Sequence, residues 1–491
     1  MDVIMEKSRL ECRRELWCGS ARREEMAECV VPDTYPDIER IIDRSAQVLI
    51  RGKTAGSGRV TVDCGVICTL LYAAEGSNEL FRIETEIPVS VSVEVSQADE
   101  ETDVVAVPML ESVEIRTLNP RKILAKAEIR IEISCFEKGE ITVSSTVSDT
   151  VHLEILEKSC DVSPVIDVRE KTFVITDEIT VPPASEGYSR ILCHKADLEV
   201  QDVRFVGSKL IFKAQAKLGI LADTNDAAPV FFGHIADFSQ IIELGTQADN
   251  ASVQLCMTGC YLELEHDEQG KEFISAQLHI LAQAVSTVNR EVQYAADAYS
   301  NRMDCSLEFE ELVLPVSCNE KQIRDSCRCT LETASAAAKI VFADASCACT
   351  GITDDGITAN VNVKCIYADE EGRLNGAAKC ITIRLDAEKT EGIKRIRLIC
   401  GDVYAVPSAE GIDLRVPVEA VVAYCTDITV KCVSSIELAE REVHPTGPSV
   451  YIVPGGEYEL WELAKKYSST VKLIEENNTD MTGVLLIPVQ K

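Results

Sequence analysis

The sequence predicts a mainly β fold, three repeated antiparallel β modules followed by a small α+β domain of strand–helix–helix–strand order (βααβ). Three observations carry this reading. Apolar and polar residues alternate over long stretches, as in Val89-Ser-Val91-Ser-Val93-Glu-Val95 and Ala125-Lys-Ala127-Glu-Ile129-Arg-Ile131-Glu-Ile133, the pattern of strands with one buried face. Slides of 150 and 295 residues bring the chain onto itself with apolar positions in phase, so a core face stays a core face. After residue 450 the period changes, and Leu460, Leu463, Ala464 and Tyr467 stand at i, i+3, i+4 and i+7, the stripe of a helix.

Taken in order, residues 1–23 form an N-terminal segment without an assigned element. Helix propensity in Arg22–Cys29 conflicts there with the repeat, which demands a strand from about residue 24. Module one spans 24–158 and contains the strand Val60, Val62, Cys64, Val66, Cys68, Leu70. Ala55-Gly56-Ser57-Gly58 ahead of it reads as a hairpin turn. The slide of 150 lays that strand on Leu210, Phe212, Ala214, Ala216, Leu218 and Ile220 of module two, 171–314. The slide of 295 lays Val62 to Tyr72 on Ile357 to Tyr367 of module three, 323–438. Each module closes with a long alternating strand, near 122–135, 272–285 and 411–425. Pro164, Pro315 and Pro445-Thr-Gly-Pro448 suit the connections, because proline cannot donate to a ladder. Residues 439–449 are then a linker to the terminal domain, 450–491.

Composition excludes several functions. With 49 Lys+Arg against 81 Asp+Glu the formal net charge is −32, a field that repels nucleic acid and anionic lipid surfaces. No run reaches the ~18 apolar residues of a membrane helix, so no membrane insertion is expected. The 21 cysteines are odd in number, scattered from Cys12 to Cys432, and never spaced Cys-x-x-Cys. Together with a charged N-terminus that lacks a signal-peptide core, they predict free, mostly buried thiols in a reducing cytoplasm. Cys327, Cys329, Cys347 and Cys349 could supply four thiolates to zinc, but Cys-x-Cys on strands suits buried small hydrophobes better. No catalytic or phosphate-loop motif occurs, which predicts a protein that is not an enzyme and needs no cofactor or metal.

Two resemblances sharpen these expectations. Module one resembles the SPOCS domain in Val31-Pro32-Asp33-Thr34-Tyr35-Pro36-Asp37-Ile38, in the strand ending Leu71-Tyr72, and in Asn119-Pro120-Arg121-Lys122. Asp297-Ala298-Tyr299-Ser300 is a further match, whereas modules two and three have lost the signature and rest on the internal repeat. The terminal segment is similar to a LysM domain in Tyr451, Val453, Gly455-Gly456-Glu457, Leu460-Trp461, Leu463-Ala464, Tyr467, Thr470-Val471, Ile474, Asn477-Asn478 and Leu486-Ile487-Pro488.

SPOCS modules with one terminal LysM resemble the layout of spore-coat morphogenesis proteins of anaerobic endospore formers. That resemblance implies a non-enzymatic scaffold in the mother-cell cytoplasm at the forespore surface. Its β modules would tether coat proteins, and its LysM would bind a SpoIVA-like coat morphogenetic ATPase. The alternative is a LysM that reads N-acetylglucosamine polymers of wall or cortex peptidoglycan. The expected groove consists of Gly455, Gly456, Glu457, Tyr458, Glu459, Trp461, Asn477 and Asn478. Its first turn is one residue longer than the glycan-binding pattern, lacks the usual Thr and carries Glu457 and Glu459, which favours a protein partner. Trp461 is either a partner hot spot or part of the small domain's core.

Overall fold

The computed structural model describes every residue except 1, 76, 78, 148–152, 226–227, 317–318, 355, 388–391, 426, 441–447, 455–458, 479–482 and 490–491. It is mainly β, with antiparallel pairing throughout the described ladders. Ile38–Gly56, Arg59–Ala74 and Leu80–Glu94 form a meander, and Met5–Val30, Lys122–Val147 and Asp103–Asn119 form a second sheet with Lys122–Val147 in its middle. The same order recurs. Tyr188–Val206, Lys209–Thr224 and Val230–Glu243 stand beside Val165–Thr180, Glu272–Thr287 and Asn250–His266. Ala337–Thr353, Gly356–Asp369 and Leu374–Leu385 stand beside Asn319–Leu331, Gly411–Tyr424 and the broken strand Ile393–Cys400 with Tyr404–Ser408.

Alternation explains the layering. In the first set, Val60, Val62, Val66 and Leu70 of one middle strand and Ala125, Ala127, Ile129, Ile131 and Ile133 of the other are buried in one core between the two sheets. Their polar neighbours point outward. Ser57 and Gly58 both have positive φ, 51° and 76°, the backbone of a two-residue hairpin turn, as the Gly-Ser-Gly text predicts.

The bulges repeat as closely as the strands. Register shifts fall between Ile38/Arg40, Ile41/Asp43 and Ile50/Gly52, and again 150 and 299 residues later in the first two strands of the other meanders. Beyond the last bulge the third hairpin has two fewer residue pairs than the first. That shortening is why a slide of 295, rather than 299, aligned its middle strand.

The three sets close on one another. The last strand of each meander packs on the first strand of the next: Leu80–Glu94 on Tyr188–Val206, Val230–Glu243 on Ala337–Thr353, and Leu374–Leu385 back on Ile38–Gly56. Where they meet, Ile42, Leu71, Leu80, Leu192, Leu221, Ile366 and Leu374 share one buried cluster, with Phe231 and Phe342 4.3 Å apart between ring centres at its edge. Lys364 Nζ lies 2.7 Å from Asp43 Oδ2 within this junction.

Gln283 fastens the second set to the first by imitating a strand. Its carboxamide accepts from Ala106 N at 3.0 Å, donates to Ala106 O at 2.8 Å, and also accepts from Lys53 Nζ at 2.6 Å. At 1% exposure no water can replace these bonds, so Gln283→Leu is expected to lower stability by about 2 kcal/mol, read as an earlier denaturant midpoint.

The N-terminal segment is a strand. Met5–Val30 pairs along its whole length with Lys122–Val147, so the helix propensity of Arg22–Cys29 yields to a 26-residue partner strand. In the other sets the matching long strands break at Pro164 and Pro315, and the outer pieces pair with each other. Leu153–Val162 pairs with Arg290–Ser300, and Met303–Leu314 with Ile428–Glu440, to which Asp2–Val3 adds. The sequence-based boundaries 158, 314 and 438 therefore cut across these ladders. Three ribbons pack around Val143, Val162, Val292, Leu314 and Val430 as a stalk.

Of the 19 described free cysteines nine are buried, eight are half-buried and two, Cys18 and Cys380, are exposed, so burial is less general than the sequence suggests. Burial pushes the Cys64, Cys256 and Cys365 thiols up to about 12. Cys425 is disulfide-bonded, which corrects the expectation that every thiol is free. Cys327 and Cys329 lie in a different sheet from Cys347 and Cys349, and Cys347 instead neighbours Cys400, whose thiol it pushes up. Among the described residues no three His, Cys, Asp or Glu side chains are grouped to hold a metal ion, and no helix is long and apolar enough to cross a membrane.

Candidate partner-binding face of the C-terminal unit

The described residues between 450 and 488 form two strands and two short helices. Val450–Pro454 pairs with Val484–Pro488, and helices Leu460–Lys466 and Val471–Asn477 lie between them in sequence. The first helix starts after the extended Glu459, whose side chain makes no cap. The second starts at Thr470, whose hydroxyl accepts from Leu473 N at 3.1 Å. Leu463, Ala464, Ile474, Leu485 and Ile487 make a small core, and one further buried member comes from the stalk, Tyr299.

Tyr299 seats the unit. Its ring meets Trp461 edge to face at 4.8 Å, and its hydroxyl donates to Ser469 O at 3.0 Å. Burial pushes its phenol well above the ordinary range, helped by the Glu154 and Asp297 carboxylates. Beside it, Asp297 accepts from Trp461 Nε1 at 2.8 Å and from Lys465 Nζ at 2.7 and 2.6 Å. A bulge between Ala295 and Asp297 turns the strand so that Asp297 and Tyr299 share a face aimed at the unit.

The described residues include only half of the groove expected from the sequence. Gly455, Gly456, Glu457 and Tyr458 lie outside the described residues. Glu459 stands exposed at the head of the first helix. Trp461 is not a free hot spot, since Asp297 and Tyr299 cover its edge and face. Asn478 is a structural clip: its carboxamide donates to Ile474 O and Leu486 O and accepts from Leu486 N, each at 2.7 Å. Asn477 is exposed and donates to Leu473 O at 2.8 Å. Sequence reasoning named Asp297-Ala298-Tyr299 as a motif but assigned it no contact; the register shift that aims it leaves no signature in composition.

A second constellation binds the two halves of the module-one signature. Arg121 donates to Val31 O, Pro32 O and Tyr35 O at 3.0–3.1 Å and to Asp37 Oδ1 at 2.7 Å. Tyr72 donates its hydroxyl to Pro36 O at 2.9 Å. The Pro-Asp loop thus wraps one guanidinium and one phenol, which explains why distant segments of sequence carry the signature together. Asp33 remains fully exposed on its outer side.

An antiparallel β assembly with a small mixed α/β unit seated on its stalk defines the class of this protein. Residues 37–118 match the family model for the SipL SPOCS domain, so the chain carries a SPOCS domain and is SipL-like over that segment. No curated protein and no solved structure matches the chain.

Proposed function

We propose that the protein is a non-enzymatic scaffold of spore-envelope assembly. The observation that carries this reading is the SPOCS match over 37–118. The common strand order and bulge positions support taking the three six-strand sets as copies of one module. On this reading the ring of modules presents coat components with repeated surfaces, and the C-terminal unit is a LysM domain that binds a SpoIVA-like basement-layer ATPase at the mother-cell face of the forespore. Cover of Trp461 by a carboxylate and a tyrosine favours a protein ligand over a sugar chain. Tagged full-length protein recovered from sporulating cells is expected to bring down the coat-layer ATPase. Saturable binding of chitin oligomers or peptidoglycan, without that ATPase, would replace the scaffold by a glycan reader.

A further inference from the structure

One face of the C-terminal unit is covered by a piece of the same chain, through contacts of two side chains on one strand. An extended strand offers residues i and i+2 on one side, and here Asp297 supplies a carboxylate to two donors while Tyr299 supplies a ring and a hydroxyl. Each group has a dedicated counterpart: the Trp461 indole N–H and Lys465 ammonium for the carboxylate, the Trp461 ring and Ser469 carbonyl for the tyrosine. Ser468, with φ of 53°, turns the chain immediately before that carbonyl.

We propose that the face formed by Trp461, Lys465 and Ser469 recognises an extended segment bearing a carboxylate followed two residues later by a tyrosine, and that Asp297-Ala298-Tyr299 occupies it as an internal latch. A partner segment of the same chemistry binds by displacing the latch. The released unit stays covalently joined to the rest of the chain, so reclosure competes at a high local concentration and only a matching segment holds the face open. The competition with a partner rests on the scaffold reading above; the latch and its chemistry do not.

The chain contains two tryptophans, Trp17 and Trp461, so indole N–H exchange measured by NMR on the full-length protein reports the latch with a built-in control. Asp297→Ala removes the acceptor of two charge-assisted bonds, and exchange at Trp461 is expected to rise by roughly ten- to a hundredfold while Trp17 is unchanged. Should both indoles accelerate, showing loss of fold, Asp297→Asn is read instead, with a smaller rise confined to Trp461. A synthetic peptide of residues 293–301 added to the opened variant should restore protection, and the peptide with Asp297→Lys should not. Unchanged exchange at Trp461, or equal effects of the two peptides, overturns the proposal. In the pull-down, the opened variant should recover more ATPase than the parent chain. Equal or lower recovery by an opened variant overturns the competition, whereas recovery by neither protein is the failure of the scaffold reading itself.

Discussion

Asp43→Ala is expected to destabilise the protein by about 3–5 kcal/mol, because it strands the Lys364 ammonium in the junction of the three sets. Lys364 belongs to the third set and Asp43 to the first, and their side chains are 20% and 5% exposed, so water compensates little. Burial alone would depress the ammonium; the Asp43 and Asp344 carboxylates and the Cys193 thiol outweigh it and hold Lys364 above its ordinary value of 10.5. A raised folded value gives stability that is complete below the ordinary lysine value and is lost as pH climbs through the folded one. Alkaline denaturation beginning above about 10.5 is therefore expected to include this loss. Lys364→Met combined with Asp43→Ala should regain most of the single-variant loss and abolish that alkaline component. If the double variant is as unstable as Asp43→Ala alone, the cost does not come from a stranded charge.

Gly376→Ala should produce the next largest effect, on the order of 3 kcal/mol, at the same seam. A Cβ on Gly376 would stand 1.8 Å from Ile42 O, and backbone there cannot swing aside as a flexible side chain could. Ile42 is the extra residue of the bulge between Ile41 and Asp43, so its carbonyl is pushed outward against the third set. The expected result is an earlier first unfolding transition, with cleavage by added protease appearing between the first and third sets. A melting curve that matches the parent would show that the strands separate without cost.

Much of the fold is legible because strands announce themselves by alternation. The stretches 60–72, 210–222 and 357–367 fall within middle strands, where both edges are paired and one face is wholly apolar. Residues 5–23 were illegible for a physical reason. In the stalk both faces of the ribbon are partly wet, so charges occupy either side, and the register shift between Glu15 and Trp17 reverses the phase midway. The junction was equally hidden, since its contacts join residues that no local pattern relates. Nor could periodicity distinguish the two readings of Trp461. The helical stripe fixes the inner face from Leu463 and Ala464, but whether the neighbouring face meets solvent depends on Asp297 and Tyr299, far away in sequence and aimed by a bulge.

The closure of the third set on the first has a consequence for how the chain is made. Two of the three seams join sets that follow each other directly, but the last joins residues 321 apart, such as Asp43 and Lys364. At about 5–20 residues per second, roughly 15–60 s separate the synthesis of those two residues. Throughout that interval the first set, already long enough to bury its own core, shows solvent an apolar rim at Ile42 and an unpaired carboxylate at Asp43. The carboxylate is then useful before the pair exists: a charge set in the middle of a waiting apolar edge discourages nascent chains from joining one another while each awaits its own third set.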